Sequence, residues 1–485
     1  MFKLKPLIIS FALATTISSH VFAANTETNR NKLPEIGSAG VSVLSIEKER
    51  QIGGEMMRQI RASQPVLNDP VLTEYINDLG NRMVRNAKDV NYSFEFFVIR
   101  NEELNAFAFF GGHIAIHSGL ITTANTESEL ASVVAHEISH VTQRHLARRL
   151  ESQNKAQPLT MAAMVSSVLL TLINPSVGLA ALSTTMAASQ QAGINYTRGN
   201  EQEADRVGIM LLANSGFNPQ GAPDFFAIMA EKYRYKSKPP AMLLTHPLPE
   251  SRIADARIRA QNFSPRPLAP NLQFELAKAR IMARYEGNAK DNIINFQQSL
   301  DKKRYGIEAA AQYGLALSHY ENKDFQTAIT QLEALLRDDN KNLFYVDALT
   351  DAYIAVKAFD KAITMLAELN LLMPNNQVVT LNYANVLNEA EQYSKAETLL
   401  QNFLVISPKN FIAQDLLTQV YRKQDKMALM HATKAEVYAL LGAYPKAVDE
   451  LQTAYNFVED NPLLKKRMKG RILQLQEQQE KLKRL

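Results

Sequence analysis

The chain of 485 residues contains no cysteine and no tryptophan. Without thiols there is no disulfide framework, no thiolate zinc site, no iron–sulfur cluster and no cysteine nucleophile, so any metal must be held by His, Asp or Glu. Strong charge of either sign is missing too. The formal net charge is +4, too weak and too spread out for a nucleic-acid binder. No apolar run reaches the roughly 20 residues that a membrane-spanning helix requires. What remains is ordinary globular composition, 46% hydrophobic and 21% charged. It excludes disorder, collagen and coiled coil as the main class, and the length argues for two or more domains.

Residues 1–23 read as a secretory signal. Lys3 and Lys5 form the charged start, Pro6 to Ser18 are mostly apolar, and Val21-Phe22-Ala23 places small residues at the −3 and −1 positions. Cleavage is expected before Ala24, leaving a flexible N-terminus over 24–40. A secreted chain without cysteine fits an oxidising space such as a bacterial periplasm.

From 41 to 262 the pattern mixes helices with short strands. Phe94 to Ile99 and His113 to Ile116 are expected strands, with Gly111-Gly112 as a turn. Residues 263–270 carry three prolines and no periodicity, a linker signal. Over 271–485 the chain repeats itself. Phe325, Phe359 and Tyr393 are 34 residues apart, with Ala328, Ala362 and Ala396 three residues after them and Leu332, Leu366 and Leu400 completing the frame. That is the tetratricopeptide (TPR) period, in which each helix pair has an apolar face that only its neighbours can cover. A weaker unit is expected around Phe274 to Leu300, the register slips after Pro408, and 463–485 reads as a basic, solvent-facing end helix.

The strongest chemical signal is His136-Glu137-Ile138-Ser139-His140. Thr126 and Glu129 form a capping box, so a helix begins near 127 and carries His136 and His140 on one face, able to converge on one metal ion. Glu137, one position round, is placed to touch a metal-bound water. A catalytic site needs a third ligand and an open position. Glu201-Gln202-Glu203-Ala204-Asp205 is the best source: with Asn200 as cap of a second helix, Glu201 and Asp205 share a face. Glu201 is then the third ligand and Asp205 orients a ligand histidine. The alternative for Glu201 is a solvated first-turn carboxylate favoured by the helix dipole. His246, held before Pro247, projects from a loop and either donates to an oxyanion or closes the metal as a fourth ligand. His145, nine residues after His136, falls on the far side of a continuous helix, and His113 and His117 read as surface residues. No residue between Lys155 and Arg198 is charged. This insert, 156–197, is expected to form a helical lid or plug over the cleft, ahead of a membrane-touching hairpin or plain core helices.

His-Glu-x-x-His, Glu-x-x-Ala-Asp and His-Pro-x-x-x-x-Arg-Ile, ending on Arg252-Ile253, together resemble the gluzincin metallopeptidases that include HtpX and the CAAX prenyl protease. The resemblance implies a zincin-type peptidase domain, giving an α+β, mainly helical chain in which that domain is followed by an all-α TPR solenoid. It implies one Zn2+ per chain on His136, His140 and Glu201, Glu137 and His246 as catalytic residues, and Asp205 and Arg252 behind the ligands. Asn105-Ala106-Phe107-Ala108 is similar to the family's edge strand, which implies pairing with an extended peptide. Phe110 stands where many relatives have proline. A signal, no spanning helix and a repeat array resemble a periplasmic branch of that family. That implies degradation of unfolded or stalled outer-membrane proteins and assistance to their assembly. It also implies a beta-barrel assembly machinery as partner of the repeats, no nucleic acid, and at most peripheral membrane contact. The competing reading is a repeat-based chaperone or scaffold on an inert peptidase fold. Glu137 argues against it, since an inert relic has no need of a general base.

Overall fold

Helix signals in the chain are local and strong. Ser45 accepts a hydrogen bond from the Lys48 N–H at the start of α1 (Ile46–Ser63), and Asp69 does the same for Leu72 at α2 (Pro70–Val84), where proline fits the first turn. The structure, a computed structural model, describes residues 44–156, 187–234, 241–248, 250–264 and 267–484. The expected signal, the stretch 24–40 and positions 157–186 of the uncharged insert lie outside the described residues.

Strands β1 (Glu95–Ile99), β2 (Ala106–Phe109) and β3 (His113–His117) form one sheet in the order β1-β3-β2. The central β3 runs parallel to β1 and antiparallel to β2, and Ala115 pairs with both Phe97 and Phe107. The turn from β2 to β3 needs glycine. Gly112 has φ +86°, and a Cβ there would lie 2.8 Å from the Ser93 carbonyl oxygen. β2 forms one edge of the sheet.

After α3 (Ser118–Thr123) comes the central helix α4 (Glu127–Thr142). Thr126 caps it, and the Glu129 carboxylate accepts from the Asn125 N–H at 2.6 Å. Leu130, Ala131, Val134, Ala135 and Ile138 are fully buried, so this helix is a core element that carries its histidines inside. Two residues past its end Arg144 adopts φ +52°, and α5 (His145–Ala156) sets off in a new direction. Then follow α6 (Ala187–Asn214), α7 (Gly221–Tyr233), the short α8 (Ala241–Thr245) and α9 (Glu250–Gln261). Gly208 lets α6 cross close over α4: a Cβ there would lie 3.2 Å from the His136 backbone nitrogen.

The remaining helices are α10 (Leu272–Arg284), α11 (Ala289–Asp301), α12 (Glu308–Glu321), α13 (Phe325–Asp338), α14 (Leu343–Ala355), α15 (Phe359–Leu372), α16 (Gln377–Glu389), α17 (Tyr393–Ile406), α18 (Phe411–Lys423), α19 (Met427–Leu440), α20 (Tyr444–Asn456) and α21 (Pro462–Arg484). The expected repeat is present in detail. α13, α15 and α17 each begin on the periodic aromatic, and Ala328, Ala362, Ala396, Leu332, Leu366 and Leu400 are fully buried between helices. The backbone keeps the same period. Lys323, Lys357, Glu391 and Asp425, 34 residues apart, all have positive φ in the turn before a second helix. Gly442 does so only 17 residues later, so the slip is half a repeat. As a result α19 packs on both α18 and α20, closing one helix pair and opening the next.

The proline-rich stretch changes the architecture without separating two bodies. The described residues of both parts belong to one compact unit. The apolar face of α10 (Phe274, Leu276, Ala277, Ile281) is buried, and across the junction Lys278 donates to the Ala124 carbonyl at 2.7 Å. Arg280 pairs with Asp69 at 2.6 Å, and Asn376 donates to Glu74 at 3.0 Å. A proline run breaks periodicity locally but does not decide which surfaces bury one another. Among the described residues, no helix is long and apolar enough to cross a membrane.

Candidate active site

Helix α4 presents His136, Glu137 and His140, and α6 crosses it presenting Glu201 and Asp205. The turn after α8 adds His246, and α9 adds Arg252. His136, His140, Glu201 and His246 each offer one ligand atom, and these four atoms lie within 4.8 Å of one another. His136 Nε2 is 3.0 Å from His140 Nε2 and 3.3 Å from Glu201 Oε2, and His140 Nε2 is 3.4 Å from Glu201 Oε1. Metal–ligand bonds of about 2.0–2.2 Å in a tetrahedron put neighbouring ligand atoms roughly 3.3–3.6 Å apart. The donor set therefore fits a small divalent cation. The electrostatics agree. Burial disfavours a charged His136, but hydrogen bonds and charge from Asp205 and Glu201 outweigh it and hold this imidazole at about 10. Glu201 is held well below the usual carboxylate range, because the charges of His246 and His140 outweigh its burial. The pocket thus favours a positive charge at its centre.

Asp205 stands behind His136, its Oδ1 3.0 Å from His136 Nδ1. Arg252 grips Asp205 with two bonds of 2.7 and 2.8 Å, reaches Glu201 at 3.0 Å and donates to the Pro247 carbonyl at 2.7 Å. One buried guanidinium so ties together the third donor, the carboxylate that orients His136 and the loop that carries His246. Glu137 is 1% exposed, and its Oε1 has no hydrogen-bond partner. Burial raises its pKa, opposed by the charges of His246 and His136 and by the Ala108 N–H. His246 Nε2 is 3.6 Å from Glu137 Oε1, and His246 Nδ1 is 3.0 Å from Glu201 Oε1. The edge strand runs Ala106–Phe109 beside α4, with Asn105 just before it, buried and giving its carbonyl to His117 N–H.

Three expectations are corrected. Asn200 does not cap a helix. α6 begins at Ala187 and runs through Gly199 without a break, because one glycine costs a helix only about 1 kcal/mol, and Asn200 instead accepts from Arg148 at 3.0 Å. His113 and His117 are not surface residues: β3 is the central strand, His113 stacks on Phe109 at 5.1 Å, and His117 is 6% exposed, its pKa pushed down to about 4 by burial. His145 does not point away from the candidate donors. The left-handed turn at Arg144 ends α4 and brings His145 Nδ1 within 2.8 Å of His140 Nδ1. A positive φ at an arginine leaves no mark in helical periodicity, so helix arithmetic alone misplaces this residue.

Residues 70–260 match the model of peptidase family M48. A putative beta-barrel assembly-enhancing protease of Vibrio cholerae is 44% identical over 470 residues, covering 97% of both chains. The beta-barrel assembly-enhancing protease of Escherichia coli K12 is 40% identical over 481 residues, 99% of this chain and 98% of its own. The mitochondrial metalloendopeptidase OMA1 of Arabidopsis thaliana is 30% identical over 134 residues, 28% of this chain and 25% of its own. Among solved structures, a tetratricopeptide repeat protein of Parabacteroides merdae is 11% identical, covers 56% of this chain and 98% of its own, and has a TM-score of 0.28.

Proposed function

This chain belongs to peptidase family M48, and on that premise we propose that it is a zinc endopeptidase of the bacterial periplasm that degrades misfolded or stalled outer-membrane proteins and assists their assembly. The observation that carries the enzymatic part is the convergence of four donors, His136 and Glu201 buried and His140 and His246 half-buried, with Glu137 beside them, its Oε1 accepting no hydrogen bond. His136, His140 and Glu201 would hold the ion, with Asp205 and Arg252 fixing their orientation. When bound, such an ion would supply Lewis-acid polarisation of the peptide carbonyl and acidify the attacking water. Glu137 takes the proton of the attacking water and passes it to the leaving amine, the role that its place one position round the helix from His136 allows. The free edge of β2, whose Ala108 N–H faces Glu137, orients an extended peptide by strand pairing.

In this conformation His246 stands as a fourth donor, which supports its reading as a residue that closes the site. A fourth protein ligand takes the position that water needs. His246→Ala is therefore expected to retain zinc and to cleave an unfolded protein at least as fast as wild type. A hundredfold loss of kcat at full zinc occupancy would instead make His246 an oxyanion donor.

The substrate and location rest on the names of full-length relatives and on the signal-like start. The repeats support a protein-binding role. Leu371 and Leu372 end α15, Val405 and Ile406 end α17 in equivalent positions, and all four are more than 60% exposed. The direct test is elemental analysis and a proteolysis assay on the full chain. About one zinc per chain is expected. A chelator should abolish cleavage and lower the unfolding midpoint, because an ion at a hundred times its Kd stabilises by about 2.7 kcal/mol. A chain that folds, cleaves and melts identically with and without chelator would sink the reading.

A further inference from the structure

We infer that His145, backed by Glu203 and Arg148, is the positioning residue for His140, and that the site orients its two ligand histidines by two different devices. The inference rests on the metal-site reading above. A ligand histidine that gives Nε2 to the ion carries its proton on Nδ1, and something must accept it. For His136 the acceptor is Asp205, held in turn by Arg252. For His140, no carboxylate of the described residues is seen at Nδ1. The group there is His145 Nδ1, at 2.8 Å, the two rings lying nearly perpendicular with centroids 4.8 Å apart.

Proton positions follow from the two ends of the chain of contacts. His140 Nδ1–H donates to His145 Nδ1, so His145 keeps its proton on Nε2. That Nε2 is 3.2 Å from Glu203 Oε2, and Glu203 also accepts from Arg148 Nη2 at 2.8 Å. Arg148 reaches Asn200 from the same nitrogen at 3.0 Å. All the donations run one way, from ligand to carboxylate, and both imidazoles are neutral. The Glu-x-Glu-x-Asp stretch of α6 thus supplies three carboxylates with three tasks: Glu201 faces the ion, Asp205 orients His136, and Glu203 orients His145.

The left-handed residue Arg144 makes the arrangement possible. Had α4 continued, His145 would lie on its far side. The break is secured by burial of the Arg144 side chain, whose Nε donates to Glu49 Oε1 at 3.0 Å and whose Nη2 donates to the Leu44 carbonyl at 2.7 Å. At 4% exposed, His145 itself is not available to substrate, so it acts only through His140.

The test measures zinc affinity rather than turnover. On the full-length chain, the zinc Kd is read by competition with a chromophoric chelator, and the visible spectrum of the cobalt-substituted protein reports ligand geometry. His145→Phe keeps the ring volume and removes the acceptor, and is expected to weaken zinc about 10–100-fold and to alter the cobalt spectrum. His145→Asn, which places an oxygen near the Nδ1 position, should recover most of the affinity. Glu203→Gln, at a partly exposed position that folding tolerates, should weaken zinc less than His145→Phe but measurably. Wild-type Kd and cobalt spectrum in either His145→Phe or Glu203→Gln would overturn the inference, as would a His145→Asn protein no better than His145→Phe. If His145→Phe does not fold, Glu203→Gln alone decides. Absence of zinc from wild type would overturn the metal reading, and this inference with it, whereas a zinc-loaded wild type indifferent to these changes would overturn this inference alone.

Discussion

Glu137→Gln is expected to cut peptide hydrolysis by about 10²–10⁴-fold while leaving zinc content at wild-type level. The substitution is nearly isosteric, so packing around α4 is preserved and the histidines on either side keep their places. What is lost is the capacity to accept a proton. Because Glu137 is 1% exposed, no bulk water stands in for it. The amide also removes the negative charge that faces His246 Nε2 at 3.6 Å, so the loop carrying His246 is expected to move more freely, a change visible in hydrogen exchange over 241–248. The decisive pair of measurements is kcat on an unfolded protein and metal content on the same sample. Retained proteolysis would remove Glu137 from the chemistry. Loss of zinc together with activity would make the carboxylate structural.

The second large effect is on stability and lies far from the metal. Arg280 is 2% exposed and fully inside the protein. Its Nε pairs with Asp69 at 2.6 Å, its Nη2 with Asp347 at 2.6 Å, and its Nη1 donates to the Tyr313 hydroxyl at 2.9 Å. Asp69 caps α2 and also accepts from the Tyr285 hydroxyl, while Asp347 accepts from Asn382 at 2.9 Å. One guanidinium therefore bonds the peptidase to two successive parts of the repeat array. Removing one partner of such a network leaves buried charges uncompensated, which costs about 3–5 kcal/mol. Arg280→Ala is expected to lose that much in urea unfolding, a large share of a typical stability of about 5–15 kcal/mol. Arg280→Lys should rescue little, since a single ammonium cannot bond two carboxylates and a hydroxyl in the fork geometry of arginine. A loss below about 1 kcal/mol would show that the array is held by its apolar contacts alone. The network also sets a pH dependence. Burial pushes the Asp69 carboxyl up, but Arg280 outweighs it and holds it below its ordinary value. Its contribution is full above the ordinary carboxylate range and is lost as pH falls through the lower folded value.

Both sites separate what is legible in the sequence from what is not. Of the four candidate donors, the two histidines of α4 are legible because their local rules point one way, whereas Glu201 and His246 each leave two readings open in the sequence. Four-residue spacing on a helix brings His136 and His140 together whatever surrounds them, and the capping box at Thr126 sets where that helix starts. The repeat was legible for the same reason, since Phe325, Phe359 and Tyr393 mark helix starts that neighbouring helices must cover. The half-repeat slip at Gly442 and the double role of α19 were visible only as a loss of register. Arg280 gave no signal, because an arginine in an amphipathic helix reads as a solvated face until the partners on other elements are known.

Sequence alone determined the elements and the donor types: no thiol, two histidines on one turn of helix, a carboxylate pair four residues apart, and a 34-residue helical period. These are short-range properties, set by backbone spacing and side-chain chemistry within a few residues. Only the tertiary structure decided which groups stand behind the ligands and how the two parts of the chain meet. His145 reaches His140 because Arg144 turns left-handed under the hold of Glu49, 95 residues earlier. Glu203 and Asp205 take different tasks because α5 and α9 approach different faces of α6. The peptidase and the repeats share a core because Arg280 finds Asp69 across 211 residues of chain. Such contacts depend on which surfaces bury one another, and burial is a property of the whole packed molecule.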